Sequence, residues 1–337
     1  MTLTMIRLLQ LFAAVAAILS GCAYYVAVPS PRQIDQNTTK IALESLTLPE
    51  TQFLTVSKNG EPAIVWGELK LPQSRAERVP AVVLAHGCGG LPPAPTGWAD
   101  ELNRMGFATF ILDSFGGRGI RNTCAGRERI NLGSRVNDAY RALELLARHP
   151  RVAGDRIALM GFSQGGGVTL LARQTRLQQL WMQTAHEFAT YVAFYPATCN
   201  RRFVGEEQVS ERPLRIFHGT ADDWTPIGPC REYVDRMQRI GKNVAMFEYP
   251  DAHHAFDNPN LPPTSFRPQV LNARGCLFTE QPDGRFTAVH KDTGARANPN
   301  APCVARGATV GFNARAREKA IQDVKLFLDS VFKTNPS

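Results

Sequence analysis

A serine between glycines is the part of the sequence whose residue types are best suited to chemistry. Residues 161–165 read Gly-Phe-Ser-Gln-Gly, after an apolar run and before an apolar helical pattern. A strand, a sharp turn and a helix in this order project a serine hydroxyl from a strained backbone, and the turn leaves no room for side chains at Gly161 and Gly165. The pattern alone is common, but its flanks agree with it. Ser163 is therefore the predicted nucleophile.

A serine hydroxyl becomes a good nucleophile when an imidazole accepts its proton and a carboxylate orients that imidazole. Two later apolar runs end in loops that carry such groups. Asp222 and Asp223 follow the first run, and His253 and His254 follow the second. In a parallel sheet, loops of this kind meet at the carboxyl ends of the strands. The order serine, aspartate, histidine predicts a Ser-His-Asp triad, and the residues alone leave both members of each pair open.

The elements that must position these groups alternate between strands and helices. Apolar runs predict the strands, and apolar residues at helical spacing predict the helices. Such alternation implies the α/β class, with a mostly parallel, doubly wound sheet covered on both faces. An antiparallel pair, 51–56 with 63–71 joined through Asn59-Gly60, is expected before it. The predicted strands are 79–85, 107–112, 156–160, 191–195, 213–217 and 244–249, and the longer helices are 131–149, 229–240 and 316–332.

Four ordered motifs resemble the dienelactone hydrolase family of the α/β-hydrolase superfamily. This resemblance implies an α/β-hydrolase fold, and its frame selects Asp222 and His254 from the two pairs. Dienelactone hydrolase itself uses a cysteine nucleophile, so Ser163 departs from that enzyme and favours serine-esterase chemistry, as in the serine members of the family. The motifs are His86-Gly87-Cys88-Gly89-Gly90, Gly161-Phe162-Ser163-Gln164-Gly165-Gly166, His218-Gly219-x-x-Asp222 with Pro226, and Tyr249-Pro250-x-Ala252-x-His254-Ala255-Phe256.

The resemblance also implies an oxyanion hole. The loop at 86–90 is similar to the one whose backbone N–H joins the N–H that follows the nucleophile in holding the oxyanion. The predicted donors are therefore the backbone amides of Cys88 and Gln164. A competing interpretation makes Cys88 a reactive thiol nucleophile, but this cysteine lacks the strand, turn and helix that surround Ser163.

One stretch, residues 257–313, does not follow the alternation. It holds seven prolines and no helical period, and 276–280 with 285–289 predicts a hairpin. We therefore expect an irregular insertion before the last helix. A Cys276–Cys303 disulfide would tie this insertion down. The remaining cysteines follow neighbouring strands, which favours the pairs Cys88–Cys124 and Cys199–Cys230.

The N-terminus carries a targeting pattern. Arg7 precedes an apolar run too short to span a bilayer, and the run ends in Leu19-Ser20-Gly21-Cys22, which resembles the lipobox of bacterial lipoproteins. The resemblance implies that 1–21 is a signal peptide and that Cys22 carries the lipid. The polar residues that follow lack periodicity, so we expect a tether over 22–45 and the hydrolase domain over 46–337. Ala23 in place of aspartate resembles sorting to the outer membrane, facing the periplasm. An ordinary signal peptide with a chance cysteine is the alternative.

Composition limits the partners. The chain has 337 residues, a formal net charge of +8 and 44% hydrophobic residues, which suits a folded globule. Its basic residues are scattered, so we expect no nucleic-acid partner. No cluster of ligand residues has metal spacing, so we expect no metal, and the predicted chemistry needs no cofactor. Several arginines near the predicted entrance would bind an anionic substrate, face lipid headgroups or lie in solvent: Arg118, Arg121, Arg127 and Arg129.

These observations predict an exported, lipid-anchored serine hydrolase that acts on a small-molecule carboxylic ester or related acyl compound through an acyl-enzyme. A peptidase or an acyltransferase on the same triad is the first alternative. The second is a non-catalytic lipoprotein that binds a partner in the cell envelope and keeps a vestigial triad. The proline-rich segment 257–313 supports this last interpretation, because it would either cover the site or bind a partner.

Overall fold

The chain folds around a central β-sheet. The structure, a computed structural model, describes residues 38–49, 53–55, 60–91 and 97–332. The predicted signal peptide, the predicted lipidation site Cys22 and the first part of the predicted tether lie outside these ranges. Among the described helices, none combines the length and the apolar composition that crossing a membrane requires.

Eight strands form the central sheet, in the order β1-β2-β4-β3-β5-β6-β8-β9. The six strands from β4 to β9 in this order pair in parallel, whereas β1 and β2 are antiparallel to their neighbours. The strands are β1 (Thr38–Thr47), β2 (Glu61–Lys70), β3 (Val79–Ala85), β4 (Ala108–Asp113), β5 (Val152–Phe162), β6 (Thr190–Phe194), β7 (Arg201–Arg202), β8 (Leu214–Gly219), β9 (Val244–Tyr249), β10 (Ser265–Asn272), β11 (Cys276–Glu280), β12 (Phe286–His290) and β13 (Ala305–Val310).

Helices cover both faces of this sheet. On one face Tyr140, Val168 and Met237 join a core with the sheet residues, and on the other face Trp98 and Val324 do so. Because both faces are covered, strands such as β6 are apolar and buried along their whole length. The doubly wound α/β class is therefore confirmed. The helices are α1 (Trp98–Arg104), α2 (Leu132–Ala147), α3 (Gln164–Leu171), α4 (Thr175–Trp181), α5 (Ile227–Arg239) and α6 (Ala314–Phe332).

The antiparallel pair at the start of the domain differs from the prediction. Strand β2 pairs with β1, in the register Thr38↔Lys70 to Thr47↔Glu61, and not with 51–56. The prediction of a tether over 22–45 is wrong for 38–45, which belong to β1. Leu43 and Ser45 are buried at alternate positions, which is a strand period that polar neighbours conceal in the sequence. Phe53 and Leu54 lie in a helical turn instead of a strand.

The predicted irregular insertion is ordered by strands. Strands β10 and β13 pair with each other as a stem, and β11 and β12 form the predicted hairpin in the register Cys276↔His290 to Glu280↔Phe286. Strand β11 also pairs in parallel with the short strand β7, which follows β6. We call residues 265–310 the ribbon. The hairpin prediction is confirmed, whereas the expectation of an irregular segment is wrong for β10 and β13.

Three disulfides join Cys88 to Cys124, Cys199 to Cys230, and Cys276 to Cys303. These are the pairs that the sequence predicts. The first connects the loop after β3 to the loop after β4, and the last closes the ribbon between β11 and the segment before β13. Cys88 is therefore a half-cystine in this structure and not a free thiol.

Candidate active site

Ser163 lies in the turn between β5 and α3. Its backbone has φ 53° and ψ −112°, a conformation that residues other than glycine seldom adopt. A Cβ atom on Gly161 would lie 2.0 Å from the carbonyl oxygen of Gly165, and one on Gly165 would lie 2.0 Å from that of Ala85. The close approach of the helix to the strand ends thus requires both glycines, as the sequence argument proposed.

Three side chains from separate loops meet at the carboxyl edge of the sheet. Ser163 Oγ lies 3.0 Å from His254 Nε2, and His254 Nδ1 lies 2.8 Å from Asp222 Oδ2. Asp222 follows β8, His254 follows β9, and all three residues are buried. In this arrangement His254 can accept the serine proton at Nε2 while Asp222 holds the N–H at Nδ1.

Asp222 accepts hydrogen bonds from its own loop as well as from His254. Its Oδ1 accepts the backbone N–H groups of Trp224 and Thr225, each at 2.9 Å, and its Oδ2 accepts the Thr225 hydroxyl at 3.0 Å. Burial raises the pKa of the Asp222 carboxyl, but the adjacent His254 and the hydrogen bonds outweigh burial, so that its pKa lies below the ordinary value. The carboxyl therefore stays ionised at neutral pH. Thr225 is a site residue that the sequence analysis missed, although it directly follows the Asx turn that Asp222 forms with the Trp224 N–H two residues on.

The two alternative residues lie elsewhere. His253 Nδ1 is 3.1 Å from the carbonyl oxygen of Ala221, away from the serine. Asp223 faces the ribbon, where its Oδ1 accepts the backbone N–H of Thr309 at 2.7 Å and its Oδ2 accepts the hydroxyl of the same residue at 3.1 Å. The geometry thus brings Asp222 and His254, and not their neighbours, to Ser163.

Aromatic side chains hold the imidazole of His254. The ring centroids of Tyr195 and Trp224 lie 4.5 Å and 4.8 Å from that of the imidazole. The Tyr195 hydroxyl donates to Asp257 Oδ1 at 2.5 Å, and Trp98 Nε1 donates to Asp257 Oδ2 at 2.7 Å. Burial raises the pKa of the Asp257 carboxyl. Sequence reasoning missed this support, because an aromatic residue at a strand end gives no local sign of what it packs against.

The predicted oxyanion donors lie beside the serine. A Cβ atom on Gly87 would lie 3.5 Å from the Cβ of Ser163, so the 86–90 loop borders the nucleophile. Within the described ranges, neither the Cys88 nor the Gln164 backbone N–H donates to another protein group. The loop is fixed by the Thr123 N–H, which donates to the Cys88 carbonyl at 2.8 Å, and by the Cys88–Cys124 disulfide. Both amides are therefore available to a substrate oxygen.

A cleft of about 620 Å³ opens above Ser163. One side is lined by the loops after β3 and β4, the other by the loops after β6 and β8, and the ribbon forms a further wall. A cleft of this size accommodates a small organic molecule. The ribbon residues that line it are Leu271, Asn272, Ala273, Arg274, Phe278 and Val304.

The arginines of the 118–129 loop have different positions. Arg118 is directed inward and forms a buried, bidentate ion pair with Asp138. Its Nη1 and Nη2 each lie 2.8 Å from a carboxylate oxygen of Asp138. It therefore cannot serve as a substrate-binding arginine. Arg129 lines the cleft, together with Arg201 and Arg274 from other segments, while Arg121 and Arg127 do not.

The ribbon contacts the loops that carry all of these groups. The Leu271 N–H donates to the Cys124 carbonyl at 2.8 Å, and the Leu271 carbonyl accepts Trp224 Nε1 at 2.8 Å. Directly after the ribbon, the Gly311 N–H donates to the His254 carbonyl at 3.1 Å, beside a β-bridge between His254 and Val310. The ribbon thus connects the aspartate loop, the histidine loop and the loop after β4, which the Cys88–Cys124 disulfide joins to the oxyanion loop.

Among the residues that the structure describes, no group of three or more histidine, cysteine or carboxylate side chains is arranged to hold a metal ion. Taken together, the sheet order, the serine turn and the convergence of serine, histidine and aspartate define a hydrolase site on an α/β framework. Comparisons with known proteins agree with this class.

A family model described as the dienelactone hydrolase family matches residues 67–274, and the chain belongs to this family. A crystal structure of a dienelactone hydrolase-like promiscuous phosphotriesterase from metagenomic libraries superposes with a TM-score of 0.55 at 16% identity, covering 88% of this chain and 99% of that one. This likeness confirms the α/β-hydrolase fold.

Two curated proteins are similar over part of the chain. A Bradyrhizobium sp protein named probable 2-oxo-3-(5-oxofuran-2-ylidene)propanoate lactonase is 24% identical over 213 residues, which cover 60% of this chain and 83% of that protein. Acyl-protein thioesterase 1 of Gibberella zeae is 31% identical over 115 residues, which cover 31% of this chain and 43% of that protein. Family membership rests on the match of the family model to residues 67–274, which include the serine turn.

Proposed function

We propose that this chain is a serine hydrolase that cleaves a small carboxylic ester or related acyl compound. The observation that carries the proposal is the continuous chain of contacts from Ser163 Oγ through His254 to Asp222, with distances of 3.0 and 2.8 Å. The names of its relatives, a lactonase and a thioesterase, support acyl chemistry.

In the first half of the reaction, Ser163 Oγ attacks the carbonyl carbon while its proton passes to His254 Nε2. The carbonyl oxygen becomes an oxyanion, which the Cys88 and Gln164 amides hold. The bond to the alcohol then breaks, and His254 returns the proton to the leaving oxygen. The product of this half is an acyl group bound to Ser163.

In the second half, His254 removes a proton from water, and the resulting nucleophile attacks the acyl-enzyme. The C–O bond to Ser163 breaks, the serine regains its proton from His254, and the acid leaves. Asp222 stabilises the imidazolium in both halves and remains ionised, in keeping with its lowered pKa.

Covalent labelling tests this proposal. A fluorophosphonate probe should label the wild-type chain, and Ser163→Ala should abolish labelling and lower kcat on a chromogenic ester by at least about 10³-fold. Ser74→Ala, on a loop remote from the cleft, is the matched control and should retain both. If wild type stays unlabelled and inactive across an ester panel, the hydrolase proposal is wrong and a binding role is favoured.

Product analysis separates the hydrolase from the peptidase and the acyltransferase. The purified chain is incubated with matched ester and amide substrates, with and without an alcohol acceptor. We expect free acid from the ester. A faster release of amine from the amide would favour the peptidase, and transfer to the alcohol in preference to water would favour the acyltransferase.

We also propose that the chain is exported and anchored in the bacterial cell envelope, facing the periplasm, through a lipid on Cys22. The support is the sequence Leu19-Ser20-Gly21-Cys22 after a short apolar run. Three disulfides in the folded domain agree with an oxidising compartment. Fatty-acid labelling that depends on Cys22 would support the proposal, and its absence in a bacterial host would refute it.

A further inference from the structure

An arginine is buried beneath the two segments that carry the proposed oxyanion donors. Arg135 lies in the first turn of α2 and is 1% exposed. Its Nη1 donates to the side-chain oxygen of Gln164 at 3.2 Å, and its Nη2 donates to the carbonyl oxygen of His86. One guanidinium therefore bonds both to the residue that follows the nucleophile and to the first residue of the 86–90 loop.

Arg135 forms no ion pair with a carboxylate among the described residues. The nearest buried acid, Asp138, is already paired through both oxygens with Arg118 and accepts the Ser45 hydroxyl at 2.5 Å. His86 does not change this balance, because burial and the adjacent Arg135 lower the pKa of its imidazole to about 3 and leave it neutral. The buried cluster of Arg118, Arg135, Asp138 and His86 thus carries one positive charge in excess.

The excess charge is costly for folding. Within the described ranges, Arg135 Nε has no hydrogen-bond partner, and a buried cation without a counterion opposes stability. Burial lowers the pKa of Arg135 to about 10, so the side chain remains charged at neutral pH. Packing and stability alone therefore give a poor account of an arginine at this position.

We propose that Arg135 is a positioning residue for the oxyanion hole, and that its uncompensated positive charge favours the negative charge that develops on the substrate carbonyl oxygen. This inference rests on the proposed function. The contacts with Gln164 and His86 hold both donor segments in one geometry. A fixed charge beside them stabilises the oxyanion without reorganisation, which is the general basis of electrostatic catalysis.

The inference predicts an effect on the transition state and not on substrate binding. The ester is neutral at its carbonyl in the ground state, and the oxygen becomes charged only in the tetrahedral state. Arg135→Gln should therefore lower kcat by about 10- to 100-fold, a fraction of the effect of deleting a whole oxyanion donor, with KM changed by less than about threefold. Arg135→Lys keeps the charge and should recover part of the lost kcat.

An arylboronic acid gives a second measurement, because its adduct with a serine nucleophile is tetrahedral and anionic. Its affinity should fall in Arg135→Gln by the same factor as kcat. The matched control is Arg173→Gln, since Arg173 is equally buried but bonds to Ser210, Arg212 and Tyr233, none of which lines the cleft. This control should lower the melting temperature and leave kcat within about twofold of wild type.

Several outcomes would overturn the inference. The first is a wild-type kcat in folded Arg135→Gln. The second is an equal loss of kcat in the glutamine and lysine variants. The third is a rise in KM in place of a loss of kcat, with the affinity for the boronic acid unchanged. If Arg135→Gln does not fold, the same two measurements are made on Arg135→Lys. A loss of kcat in Arg135→Lys without a matching loss of boronic acid affinity also refutes the inference. Fluorophosphonate labelling of wild type separates this failure from failure of the proposed function, because labelling is retained in the first case and absent in the second.

Discussion

Removing the carboxylate of Asp223 should weaken the attachment of the ribbon to the aspartate loop, which keeps the bond from Trp224 to Leu271. In Asp223→Ala, two hydrogen bonds from Thr309 to a charged acceptor are lost. Such bonds contribute about 1.5–3 kcal/mol each when buried. The Asp223 side chain is 40% exposed, so we discount each bond for solvent screening to about 1 kcal/mol and expect the pair to contribute about 2 kcal/mol in total.

Hydrogen exchange measures this loss locally. A change of about 2 kcal/mol in the opening equilibrium corresponds to about 30-fold faster exchange of the amides in β10 and β13. Amides of the buried strand β5 should exchange at the wild-type rate. Because Gly311, directly after β13, bonds to the His254 carbonyl, kcat/KM should fall by about tenfold, far less than for removal of Asp222.

Two variants serve as controls. Asp223→Asn keeps an oxygen that can accept the Thr309 N–H and should show a smaller effect. Asp283→Ala removes a carboxylate at the tip of the β11–β12 hairpin, where it bonds to Arg285, and should leave exchange in the stem unchanged. If exchange of β13 in Asp223→Ala equals that of wild type, or rises equally throughout the domain, the ribbon is not held through this side chain.

Two further predictions concern the site itself. The pKa of Asp222 is lowered from an ordinary 3.8, so its contribution to stability is complete above that value and is lost as pH falls through the lowered pKa. The excess unfolding free energy of wild type over Asp222→Asn, measured by denaturant unfolding, should therefore shrink as pH falls below about 4. Gly165→Ala places a Cβ 2.0 Å from the Ala85 carbonyl oxygen and should lower the free energy of unfolding by about 3 kcal/mol or more, measured with denaturant. Gly228→Ala is the control and should be tolerated, because the nearest neighbour of its Cβ lies 4.0 Å away.

The residues that could be predicted from the sequence are those with local constraints. The glycines around Ser163 follow from the sterics of the turn, and the long apolar runs such as β3 follow from burial on both faces. The order of serine, aspartate and histidine follows from the rule that loops meet at the carboxyl ends of parallel strands. The choice between Asp222 and Asp223 did not follow from the residues alone, because both lie on the same loop and only the resemblance separated them.

The features that could not be predicted depend on contacts distant in sequence. The partner of β2 is β1, although Asn59-Gly60 is a good turn signal for a nearer strand. Polar residues such as Lys40 and Glu44 hide the period of β1, since that strand lies at the edge of the sheet. The role of Arg135 is equally invisible, because it depends on which loops pack above α2 and on the pairing of Asp138 with Arg118.

The Cys276–Cys303 bond divides the ribbon into two parts with different tasks. The stem bonds to the catalytic loops, whereas the outer segment, residues 277–302 between the two cysteines, lines the cleft through Phe278. The crosslink closes the base of the outer segment. Changes in the length and composition of that segment, by evolution or by protein engineering, should therefore leave the stem in place. Chimeras that transplant residues 277–302 from other proteins should alter substrate preference and keep the catalytic residues in place where the new segment preserves the pairing of β11 with β7.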